Sequence, residues 1–79
     1  MNLRGKRIYT GSMQLFNDWE IRPFAIQSAD GAFLPGLSAR RHRVGERFGK
    51  EICFDERCMN KEEAFELAMA QGRGLVLAS

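Results

Sequence analysis

Only one stretch of this 79-residue chain carries the period of a helix, and that limits the architectures open to it. Asn60 can accept hydrogen bonds from the free N–H groups of a first turn, and Glu63, three residues on, completes a capping-box pattern. Glu62 and Glu63 also suit the positive end of the helix dipole. Ala64, Phe65, Leu67, Ala68 and Met69 then share one broad arc that leaves Glu62, Glu63 and Glu66 outside it. Gly72, after Gln71, predicts the stop, because glycine readily takes the left-handed conformation that ends helices. Beyond it, Gly74-Leu75-Val76-Leu77-Ala78 is too apolar for a solvated terminus. A last strand, or an extended segment laid on the core or on a partner chain, is expected there.

The segments before the helix read as strands. Between Trp19 and Gln27, Trp, Ile and Phe favour a pleated surface, and no helical period fits. Trp19 and Ile21 fall on one parity, whereas Phe24 and Ile26, after Pro23, fall on the other. Either the strand bulges near Pro23 or both faces of the sheet are partly covered. Ser28-Ala29-Asp30-Gly31 predicts a tight turn, and residues 32–43 a returning strand interrupted at Pro35-Gly36. A second turn over 45–49 leads to a third strand over 50–56, in which Ile52 and Phe54 alternate with Glu51, Cys53 and Asp55.

Residues 1–18 carry only a weak alternation at Arg7-Ile8-Tyr9-Thr10 and an apolar pair at Leu15-Phe16. They are expected to be a partly ordered N-terminal segment with at most a short strand. Residues 19–79 are then one α+β domain: a three-stranded antiparallel sheet, four-stranded if the C-terminal tail joins it, packed against one helix. A chain of this length builds one modest core, worth about 3–5 kcal/mol, so a partner chain or a staple would help it.

Cys53 and Cys58 are the candidates for a staple, but they close a very short loop. No apolar run of about 7–15 residues follows the basic start, as a signal peptide requires, and none reaches the ~18 of a membrane helix. A soluble, cytoplasmic chain with reduced thiols is expected. The net charge of +2 hides an asymmetry. Residues 1–50 hold nine Lys or Arg against four Asp or Glu, and residues 51–79 hold three against six.

Little in the sequence points to catalysis. The single histidine, His42, lies in an arginine run where neighbouring positive charge opposes its protonation. Cys53 has Glu51, Asp55 and Glu56 around it, which disfavour a thiolate. Cys53, Cys58 and His42 together fall short of a metal-ligand set, and the glycines match no phosphate-binding pattern, so neither metal nor cofactor is expected. Catalytic residues are therefore not assigned.

Two binding surfaces remain. Arg40, Arg41, Arg43, Arg47 and Lys50 gather along one strand end and the following turn, where they could neutralise phosphates. Glu46 and Glu51 interrupt that patch. The alternative surface is apolar: Trp19, Phe24, Leu75 and Leu77, which a single helix cannot cover, suit a protein interface or a homodimer.

The element order, with Ile52-Cys53-Phe54-Asp55 closing a strand and Lys61-Glu62-Glu63-Ala64-Phe65 opening the helix, resembles the sheet-plus-helix DNA-binding domains of plant ethylene-response factors and phage-integrase arms. Over residues 19–70 that resemblance implies Arg and Trp readers on the sheet, yet Phe33, Leu34 and Pro35-Gly36 stand where those families carry them. The chain is also similar to small stand-alone bacterial proteins of no assigned function that share its Trp, Gly, Glu-Glu-Ala pattern, which implies no activity. A non-enzymatic module for protein interaction or self-association is expected, with nucleic-acid binding through residues 40–50 as the alternative.

Overall fold

In the computed structural model of the chain, residues 7–16, 18–43 and 45–77 are described, with only the backbone at 42, 43, 46–48 and 77. Five strands form one antiparallel sheet, and a single helix lies across one face of it. The strands are β1 (Arg7–Thr10), β2 (Gln14–Phe16), β3 (Trp19–Gln27), β4 (Phe33–Arg43) and β5 (Glu46–Cys53), and the helix α1 is Lys61–Leu77. Their order is β1-β3-β4-β5, and β2 pairs with β3 beyond the end of β1.

The N-terminal segment is more regular than its sequence suggests, since both of its strands belong to the sheet. The break between them has a cause. Pro23 faces that side of β3, where its carbonyl accepts from Gly11 N at 2.8 Å. A proline has no N–H to return, so the ladder lapses between Thr10 opposite Phe24 and Gln14 opposite Ile21. The irregularity at Pro23 therefore falls in the neighbouring strand, and β3 itself pairs with β4 without a bulge from Trp19 to Gln27.

Strand β4 is likewise continuous through Pro35-Gly36. Phe33 exchanges backbone hydrogen bonds with Cys58, and Pro35 accepts from Phe54 N at 3.0 Å. The donor missing at Pro35 thus falls beyond Cys53, where β5 ends and no ladder needs it. The hairpin between β3 and β4 closes on Ser28-Ala29-Asp30-Gly31, with Gly31 N donating to Ser28 O at 3.0 Å. Arg57 forms an ion pair with Asp30 that ties the β5–α1 connection to this turn. The turn expected over 45–49 is shorter, because pairing persists as far as His42 opposite Arg47 and Arg43 opposite Glu46.

Burial alternates along β3. Trp19, Ile21, Pro23 and Ala25 are buried beneath the helix, and the residues between them are half-buried or exposed. Leu37, Ala39 and Val76 complete one core cluster with Trp19 and Ile21, and Ala25, Cys58 and Ala64 form another. Filling these positions with Ile21 and Leu37 stabilises the fold by about 1.5–3 kcal/mol for each side chain.

The helix begins as expected and ends later. Glu63 N donates to Asn60 Oδ1 at 2.8 Å, and Met59 N donates to Glu63 Oε1 at 3.1 Å. Gly72, however, lies inside the helix, and the segment expected as a tail strand is its last turn. Ala64, Ala68, Gly72 and Val76, four residues apart, are all buried and form one row against the sheet. Burial of Val76 in the core outweighs the tendency of Gly72 to stop the helix.

Candidate functional site

The helix covers one face of the sheet, and strand register lays out the other. Moving along the strands, its rows are Ile8, Ile26 and Leu34; then Thr10, Phe24, Gly36 and Cys53; then Arg22, Ser38 and Glu51; then Leu15, Glu20 and Arg40. One end of this face is apolar and the other charged. Ile8 is 51% exposed and Leu15 67%. Ile8, Arg22, Phe24, Ile26, Glu51 and Cys53 border a shallow depression of about 340 Å³ in it.

Phe24 gives this face its shape. Its ring lies over Gly36 on the neighbouring strand, filling the space that a Cβ would occupy there. Only glycine allows the ring to lie so flat against the β4 backbone. The face is therefore low and smooth near its centre, and Phe24 is half-buried without any help from the helix.

The described basic side chains do not form one patch. Arg41 lies on the helix side, 5.5 Å from the Trp19 ring centroid, with its Nε 3.4 Å from Asp18 Oδ2. Lys50 approaches the same ring at 5.9 Å. Arg40 is exposed on the opposite face, directly across from Glu20. Arg43 and Arg47 lie outside the residues whose side chains are described. Strand alternation thus divides a run that is continuous in sequence.

The apolar residues divide as well. Trp19 is 6% exposed and belongs to the chain's own core, and Leu75 is 52% exposed on the helix, away from the open face. The Leu77 side chain is outside the described part. Of the three whose side chains are described, only Phe24 lies on the open face, joined by Ile8, Ile26 and Leu34. The parity switch after Pro23 is the sequence signal for Phe24 and Ile26, and Ile8 and Leu34 join them only through strand register.

Neither cysteine is bridged: Cys53 is exposed and Cys58 buried. Burial, then the charges of Glu63 and Glu56, and a hydrogen bond with Glu63 all push the Cys58 thiol above its ordinary value. It is held protonated, the poor state for a nucleophile or a metal ligand. Among the described residues, no three His, Cys, Asp or Glu side chains converge as a metal site would require. No described helix is long and apolar enough to cross a membrane.

These features define an α+β sheet-and-helix domain with one covered face and one amphipathic open face. Neither protein-family models, nor curated proteins, nor solved structures include a match to this chain.

Proposed function

We propose that this chain is a non-enzymatic, cytoplasmic protein-binding module whose open sheet face docks on a protein surface that is apolar at its centre and bears both charge signs. The observation that carries this reading is the cluster of Ile8, Phe24, Ile26 and Leu34 on the side of the sheet that the helix leaves uncovered. Burying these side chains against another chain would remove apolar surface from water at about 25 cal/mol per Å².

The charges around the cluster favour protein over nucleic acid. Among the described side chains of this face, Glu20 and Glu51 balance Arg22 and Arg40, so these four offer no excess of positive charge to meet a phosphate backbone. Arg41, on the other side, is engaged by Asp18 and Trp19.

Light scattering at low and high salt, with and without a mixed-sequence duplex, tests this reading. The expected result is a mass that the duplex leaves unchanged at either salt. A low-salt shift that Arg40→Ala abolishes would overturn it in favour of nucleic-acid binding.

A further inference from the structure

We infer that the surface this face meets is a second copy of the same chain, packed sheet to sheet about a two-fold axis that runs along β4. The inference rests on the protein-binding reading above and names its partner.

The charge pattern carries it. Arg22 on β3 and Glu51 on β5 flank Ser38 on β4 in one row, on opposite sides and about 10 Å apart at the backbone. Both are exposed, and neither makes an ion pair among the described residues. A two-fold along β4 exchanges the positions of β3 and β5. Each copy's Arg22 then faces Glu51 of the other, and the same contact forms twice.

The apolar side chains nearest β4 agree with that axis, whereas Ile8 on the outer strand β1 lies beyond the edge of the other copy. The Phe24 ring leans over Gly36, toward β4, so two such rings meet at the centre of the pair. Leu34, on β4 in the adjoining apolar row, meets its own counterpart. Arg40, also on β4, lies at the far end of the face beside Glu20. The rotation of roughly 30° between packed sheets carries the two Arg40 side chains off one another.

The β5 edge of the sheet is a poorer place for two copies to meet. β5 carries Glu46, Arg47, Lys50 and Glu51 within eight residues, and charge at that density on an outer strand guards against edge-to-edge pairing.

The test is complementation between two charge variants, read by analytical ultracentrifugation. Arg22→Glu and Glu51→Arg each set like charges against one another at both contacts, and each alone is expected to weaken dimerisation about tenfold or more. Mixing the two variants restores opposite charges at both contacts, so the mixture is expected to form a 1:1 heterodimer of near wild-type affinity. A pairing within one chain could not be rescued by mixing. The fluorescence of Trp19, on the covered side of the sheet, verifies that every variant is folded.

Weakened single variants that fail to complement one another overturn the inference. So does a wild-type chain that stays monomeric at all concentrations, and the open face is then left to a different protein. Leu34→Asp separates the two levels, because it spoils the apolar end without touching the charge pairs. A dimer that tolerates Leu34→Asp as well as both charge changes lies off this face, and overturns the inference together with the reading beneath it.

Discussion

Leu37 occupies the space that a side chain at Gly72 would need: an ideal Cβ on Gly72 would come within 2.6 Å of Leu37 Cδ2 and 3.1 Å of its Cβ. The helix lies on the sheet at this distance because position 72 carries no side chain. Substituting alanine there gains up to about 1 kcal/mol of helix propensity but overpacks a buried contact, which costs typically 1–3 kcal/mol. Gly72→Ala is therefore expected to destabilise the chain, by about 1 kcal/mol in urea unfolding. Gly74→Ala is the control. Nothing lies within 4 Å of a Cβ at Gly74, so there the propensity gain is uncompensated and the midpoint is expected to rise.

The start of the helix makes a separate prediction. Asn60 Oδ1 accepts from Glu63 N, and removing it leaves that donor to water. Asn60→Ala is expected to cost about 1 kcal/mol, whereas Asn60→Asp retains an acceptor and adds a charge that suits the dipole. Denaturant midpoints of the two variants check the difference.

Phe24 and Gly36 act as one unit, with the ring resting on the bare backbone. Gly36→Ala is expected to lift the ring and cost about 1–3 kcal/mol. The same change in a Phe24→Ala background should cost much less, because no ring is left to displace. A double-mutant cycle at fixed protein concentration measures the coupling, and additivity of the two changes would contradict this contact.

Cys58 links stability to alkaline pH. Its thiol is raised by burial first, and then by Glu63 and Glu56, so the folded chain holds the proton more tightly than the unfolded chain does. The resulting stabilisation is complete below the ordinary thiol value of 9.0 and is lost as pH climbs from there through the raised folded value. Urea midpoints between about pH 8 and 10.5 should fall more steeply for the wild type than for Cys58→Ala. With a thiol reagent at neutral pH, exposed Cys53 should react in the folded chain at concentrations where it is monomeric, and Cys58 only on unfolding.

Local chemistry was readable directly from the residues. Asn60 with Glu63 marks a helix start in any context, since a cap needs only its own first turn. Ser28-Ala29-Asp30-Gly31 likewise marks a hairpin turn, with Gly31 at φ +90°. From these followed the α+β class, strands β3 and β4, and the two apolar parities of β3. The end of the helix could not be read in that way. The capping signal at Gly72 is local, whereas the contact of Val76 with the core that overrides it comes from the far side of the chain. Only the row Ala64, Ala68, Gly72, Val76 hinted at a longer helix.

The sequence by itself determined that β3 and β4 are strands joined at Ser28-Ala29-Asp30-Gly31 and where the helix starts, because each depends on backbone preferences within a few residues. The tertiary structure alone decided that α1 runs to Leu77, that Pro23 breaks the strand beside it, and that Arg40 and Arg41 lie on opposite faces. Those outcomes depend on register and packing between segments distant in sequence. The same register brings Arg22 and Glu51 into one row, which no spacing along the chain reveals.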